Sequence, residues 1–161
     1  MIRIFTTGGT FDKVYFDALS EFRIGEPMAE ALLEEANVTF SYEIESLLRK
    51  DSLEIDADDR QSIRDAVERS AESKILITHG TDSMVDTARS LLGIGGRTVV
   101  LFGAMQPARM RYSDATFNLG FACAAVQTLP AGIYIAMNGQ ILDPAKASKN
   151  RARGRFEAPS G

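Results

Sequence analysis

The chain has 161 residues, 45% of them hydrophobic and 25% charged, with a formal net charge of −4 at pH 7. That size and balance suit one globular domain with a core of its own, and the slight acidity argues against a nucleic-acid partner. Cys123 is the only cysteine, which excludes an internal disulfide and fits a reducing compartment. Arg3 breaks a very short apolar start, and no run approaches the roughly 20 apolar residues that a membrane helix needs, so a cytoplasmic protein with no membrane partner is expected.

Ile2 to Thr6 reads as a buried strand, and Gly8 to Gly25, without a lasting period, as a long loop of the kind that forms lids. Pro27 suits the first position of a helix carried by Met28, Ala31, Leu32 and Ala36, with Asn37 as its stop. Val38 to Leu47 alternates Phe40, Tyr42 and Ile44 with polar neighbours, the pattern of a second strand. Asp51 and Ser52 fall in the connection that follows. Asp56 can cap the next helix, whose inner stripe is Ile63, Ala66, Val67, Ser70 and Ala71.

Lys74 to Thr78 is a third strand, apolar enough to be buried on both faces. His79-Gly80-Thr81-Asp82 follows at once, then a helix lined by Val85, Ala88, Leu91 and Leu92 that ends at Gly93, Gly95 and Gly96. Thr98 to Phe102 is a fourth strand, and Gly103 to Ser113 a loop. Asp114 can cap a helix to about Thr128 that is apolar almost all round, so that it is buried or lies in a subunit interface. Gly132 to Met137 is a fifth strand, turned back by Asn138-Gly139 into a short sixth, Gln140 to Leu142. The tail from Pro144 is polar and basic.

Strand and helix alternate throughout, which predicts an α/β class: one Rossmann-like or flavodoxin-like domain over 1–161, a mostly parallel sheet flanked by helices. Ligands bind outside the carboxyl ends of such strands. Thr10, Asp51-Ser52 and Thr81-Asp82 follow strands one, two and three, so three hydroxyls and two carboxylates can meet at one edge. A threonine hydroxyl needs a base to attack at neutral pH, and a lysine serves when it is uncharged. Lys149 lies where the chain can fold back over the strand ends. Thr81 could then relay a proton, Asp82 could hold Lys149 or a substrate ammonium, and the N–H groups of Gly9 and Thr81 could form an oxyanion hole.

Each residue alone has a plainer reading. Gly8-Gly9-Thr10 could be a phosphate-binding turn, although the phosphate-loop lysine is missing. Asp82 could cap the helix after it, Ser52 could bond within its loop, Tyr15 could be an exposed loop aromatic, and Lys149 could be one of several charges on a solvated tail. His79 reads as a structural donor and Cys123 as packed core.

Taken together, Thr7-Gly8-Gly9-Thr10, Asp51-Ser52, His79-Gly80-Thr81-Asp82, Gly103-Ala104-Met105-Gln106-Pro107, Phe117-Asn118-Leu119, Met137-Asn138 and Ser148-Lys149 are similar to the ordered motifs of bacterial-type L-asparaginases. That resemblance implies hydrolysis of L-asparagine to L-aspartate and ammonia, without cofactor or metal. It implies Thr10 as the nucleophile of an acyl-enzyme, Tyr15 on a lid, and Thr81, Asp82 and Lys149 as the proton-handling group. Gly9, Asp51, Ser52, Gly80, Thr81 and Asp82 would bind substrate. It further implies a homo-oligomer and a short-chain form without the C-terminal domain of longer relatives. Tyr15 comes only five residues after Thr10, a short lid, and Leu53 follows Ser52 where many relatives carry a polar residue. Glutamine or an amidotransferase-type substrate, or a non-catalytic amino-acid-binding module, are the competing expectations.

Overall fold

The apolar start does form a strand, β1 (Ile2–Gly8), in the computed structural model, which describes residues 1–158. A 3-10 turn (Thr10–Asp12) follows, then an antiparallel hairpin of β2 (Lys13–Phe16) and β3 (Glu21–Ile24). The expected irregular loop from Gly8 to Gly25 is therefore corrected. Its pairing rests on cross-strand contacts, Tyr15 against Phe22 with ring centroids 5.4 Å apart and Arg23 over Phe16 at 4.9 Å. A scan for apolar periodicity does not register such pairs.

Helix α1 (Ala29–Glu35) starts two residues after Pro27 and is closed by Asn37 at φ 50, the left-handed stop the sequence suggests. Strand β4 (Tyr42–Lys50) starts and ends later than the alternation predicts. Its register with β1 opens at Ile2↔Tyr42, and Phe40 packs on the Tyr42 ring instead of pairing. A short 3-10 turn (Ser52–Glu54) leads to α2 (Ala57–Arg69), where Asp56 and Asp59 cap reciprocally as a capping box.

Then come β5 (Lys74–Thr78), α3 (Met84–Ser90), β6 (Thr98–Phe102), α4 (Ala115–Thr128), β7 (Gly132–Met137) and β8 (Gln140–Leu142). Asn138 and Gly139 turn β7 into β8 with positive φ at both positions, as a two-residue hairpin requires. The tail, expected to be merely polar and basic, forms a second hairpin, β9 (Ser148–Asn150) with β10 (Arg155–Glu157).

The sheet order is β4-β1-β5-β6-β7-β8, parallel except for β8. Ile4, Leu76, Val100 and Phe102 face α1 and α4; Phe5, Ile75, Ile77 and Leu101 face α2 and α3. Burial on both faces explains why β5 and β6 are continuously apolar. The parallel order also sends the ends of β1, β4, β5 and β6 to one edge. Helix α4 buries Ala115, Leu119, Ala122, Cys123 and Val126 on the sheet, while Phe117 remains 62% exposed and stacks on Phe121. Cys123 is packed core, and burial pushes its thiol up to about 11.

Candidate active site

Three loops leave the carboxyl ends of β1, β4 and β5 and stack with almost no space between them. A Cβ added to Gly9 would lie 2.5 Å from the Gly80 Cα, and one added to Gly80 would lie 2.5 Å from the Ser52 Cβ. Gly9 also holds φ +75, a conformation that side chains resist. Glycine at both positions is thus a packing requirement, and it draws Thr10, Ser52, Thr81 and Asp82 into one neighbourhood. Hydrogen bonds fix the stack. The Asp82 N–H donates to Ser52 Oγ at 3.2 Å, the Ser83 hydroxyl to the Ser52 carbonyl, and Thr7 Oγ1 to the Thr78 carbonyl at 2.8 Å. The Gly9 N–H donates to the Lys50 carbonyl at 2.9 Å, so the expected role of Gly9 as an oxyanion donor is corrected.

The tail completes the site because its apolar residues are anchored in the core. Ala147 and Phe156 are buried in the α2–α3 side of the core, the Phe156 N–H donates to Asn138 Oδ1 at 2.8 Å, and Arg89 of α3 donates to the carbonyls of Pro144 and Ala147. This lays β9 over the strand ends. Lys149 Nζ donates at 2.8 Å to Thr81 Oγ1 and at 2.8 Å to Asp82 Oδ1. Its side chain is only 16% exposed, whereas that of Arg151, 3.5 Å from the same carboxylate oxygen, is 70% exposed. The plain reading of Lys149 as one charge on a solvated tail does not describe it. Nor does Asp82 cap α3: Ser83 occupies that position, and the Asp82 carboxylate turns to Lys149.

The remaining residues divide. Thr10 is partly exposed, opens the 3-10 turn, and lines a cavity of about 230 Å³ with Lys13, Phe22, Gln106, Pro107 and Met110. A larger groove, about 550 Å³, runs along β4 and shares none of those residues. Tyr15 is half exposed and packs on Phe22 within the hairpin, so its neighbour in this structure is the other hairpin strand. Asp51 builds its own loop: it accepts the Leu53 N–H at 3.2 Å and pairs with Lys13 at 2.9 Å, and Lys13 first of all holds its carboxyl below the usual range. His79 is fully buried between the Gly80 carbonyl and Thr87 Oγ1, each 2.8 Å from one ring nitrogen. Burial lowers it to about 4, so it is a neutral structural tie, as its sequence reading suggests.

Sequence reasoning missed Asp12 and Asp114. Asp114 sits at the start of α4, but its carboxylate accepts the N–H groups of Met105 and Gln106 and the Asn118 amide, each at 3.0 Å. It shapes the loop beside the cavity rather than capping its helix. Asp12 is 1% exposed and accepts the Met28 N–H at 2.9 Å. Its only sequence signal is an acid two residues after the candidate nucleophile. Among the described residues, no group of three or more His, Cys, Asp or Glu side chains is placed to hold a metal ion, and no helix is long and apolar enough to cross a membrane.

A parallel α/β sheet carrying a threonine turn after its first strand and a Thr-Lys-Asp group beside it defines a class of α/β domains with the polar site at the strand ends. The chain belongs to the asparaginase N-terminal family, whose model matches residues 1–159. The thermostable L-asparaginase from Thermococcus kodakarensis has a similar structure, with a TM-score of 0.84 and 27% identity over 98% of this chain and 50% of that one. A glutaminase-asparaginase of Pseudomonas aeruginosa is 35% identical over 94 residues, 54% of this chain and 26% of that protein. A glutamyl-tRNA(Gln) amidotransferase component from Methanococcus vannielii is 36% identical over 85 residues, 52% and 20% respectively. The chain thus spans about half the length of the solved relative, and its matches cover about a quarter or less of the curated ones.

Proposed function

We propose that this domain hydrolyses the side-chain amide of L-asparagine, with Thr10 as nucleophile. The observation that carries the reading is the 2.8 Å approach of Lys149 Nζ to both Thr81 Oγ1 and Asp82 Oδ1, across 68 and 67 residues of sequence. A lysine docked on a threonine hydroxyl and steadied by a carboxylate is a proton-handling group, beside a loop that presents a second threonine. Thr10 Oγ bonds to the amide carbon, the C–N bond breaks, and ammonia departs with the proton Thr10 gives up. Water then cleaves the ester, releasing aspartate and restoring the hydroxyl. Thr81 and Lys149 carry protons in both halves. Ser52 and Asp82 hold the amino-acid end of the substrate, with Gly9, Gly80 and Asp51 shaping the loops around it. Tyr15 acts from the hairpin as it covers the cavity beside Thr10.

Ammonia release from asparagine and glutamine tests the reading. Release from asparagine that vanishes in Thr10→Ala supports it; a folded protein that releases ammonia from neither amide overturns it in favour of a binding module. Glutamine is the second substrate to try, because the aligned relatives include a glutaminase-asparaginase and an amidotransferase component. We also infer a homo-oligomer in the cytoplasm, formed through the outer face of α4, where the exposed Phe117 stacks on the half-buried Phe121. A monomeric mass by light scattering would overturn the oligomer.

A further inference from the structure

Asp12 ends the 3-10 turn that Thr10 begins, and three backbone and side-chain bonds leave it in three directions. Its N–H donates to the Gly9 carbonyl at 3.2 Å, its carbonyl accepts the Gly25 N–H at 2.8 Å, and its carboxylate accepts the Met28 N–H at 2.9 Å. The first bond closes the nucleophile turn, the second closes the base of the hairpin of residues 13–24, and the third fixes the start of α1, whose own first residues supply no side-chain cap. We infer that Asp12 is a positioning residue: its backbone ties the Thr10 turn to the hairpin root, and its carboxylate ties both to the start of α1. This rests on Thr10 being the nucleophile.

A neutral acceptor such as Asn or Ser would serve a helix start equally well. This chain instead buries a carboxylate to 1% exposure. The charged groups around it are Arg49 from β4, Arg109 from the loop after β6, and Glu26 before α1. Glu26 pairs with Arg49 at 2.6 and 2.8 Å, and its carbonyl accepts from Arg109 at 3.4 Å. Lys13, next in the chain, is committed to Asp51. Burial outweighs the Met28 bond and the two arginines, and raises the Asp12 carboxyl to about 6. A charge kept buried at a cost, two residues from a nucleophile, has the character of a functional group rather than a cap. Ionised, Asp12 makes a charge-assisted bond to Met28; protonated, it makes a weaker one. That one bond then positions the turn beside Thr10 less strictly, while the unit as a whole packs better around a neutral group, since burial penalises the charge.

The test compares wild type with Asp12→Asn, which keeps the shape and loses the charge. Three readouts are needed: asparagine hydrolysis from pH 4.5 to 8, thermal unfolding, and amide protection of Gly25 and Met28 at pH 5 and 7.5, corrected for intrinsic exchange. Wild type should lose about tenfold in kcat/KM between pH 7 and 5, a modest misplacement of a nucleophile. D12N should be about tenfold slower at pH 7.5 with no acid limb, the loss falling on kcat more than KM, and its Tm should not fall. In wild type, protection of Gly25 and Met28 should rise at pH 5, because the buried carboxyl takes a proton more readily than one that opening exposes to water. D12N with the wild-type rate and acid limb overturns the inference, as does protection in wild type that is unchanged by pH. If wild type is inactive on asparagine, the underlying reading fails, while the protection measurement still decides whether Asp12 is a lock.

Discussion

The strand-end stack and the hairpin beside it are built on opposite terms. In the stack, Gly9 rests on Gly80 and Gly80 on Ser52 with no space for a methyl group, and Thr81 and Asp82 are tied to Lys149. In the hairpin, Tyr15, Phe16, Leu19 and Phe22 are each 43–54% exposed, and an isolated two-stranded hairpin is only marginally stable. The groups proposed to pass protons occupy the region without slack. The hairpin carries apolar surface that gains by covering something. Asp12 lies at the junction, which is why a single carboxylate can couple the two.

If this contrast is right, changes to the backbone packing of the stack damage rate and fold together, while changes to the reactive side chains it presents, or to the hairpin, damage rate alone. Thr10→Ala should lower asparagine turnover by at least about 10⁴-fold with the fold intact by circular dichroism. Gly80→Ala should be nearly as damaging and should also cost about 3 kcal/mol or more in urea unfolding, because its Cβ meets backbone and Ser52 rather than a yielding side chain. Lys149→Met should lower kcat on the order of 10²-fold or more, while Arg151→Met changes it only a few-fold. Equal effects of the two would reduce the tail to a charge patch. Tyr15→Phe should lower kcat about tenfold with no change in Tm, as expected of a covering element. Leu19→Ser, at the exposed end of the hairpin, should move stability by less than about 0.5 kcal/mol.

Acid exposes the same junction. His79 is lowered to about 4, so the native state binds fewer protons than the unfolded one, and stability is lost as pH falls from about 6.5 toward 4. Asp12 is raised to about 6 from 3.8, so its contribution has the opposite sign: stability is gained as pH falls from about 6 toward 3.8. At about 1.4 kcal/mol per pH unit each is worth on the order of a few kcal/mol, and the two oppose each other. Removing the Asp12 charge should uncover the His79 loss. The Tm of D12N should fall more steeply between pH 6.5 and 4.5 than that of wild type, and parallel Tm curves would show that no such offset exists.

Much of this molecule follows from local pattern. Burial on both faces makes β5 and β6 apolar runs, Asp56 caps α2, and Asn138-Gly139 turns β7, because each depends on neighbours a few residues apart. The order of motifs along the chain was also enough to indicate the family. What sequence could not reach was every feature whose cause lies on another element. The hairpin of residues 13–24 is held by ring contacts across its strands, β4 starts where β1 offers a partner, and the tail becomes a hairpin because Phe156 finds the core. Lys149 and Arg151 look alike in sequence; only the placement of β9 buries one beside Thr81 and leaves the other in solvent. Asp82 likewise reads as a helix cap, and Asp12 gives no local signal beyond its place after Thr10. Residue type determined which chemistry was available, and tertiary packing decided which copies of it were desolvated and brought within hydrogen-bonding distance, since both depend on contacts that no local pattern records.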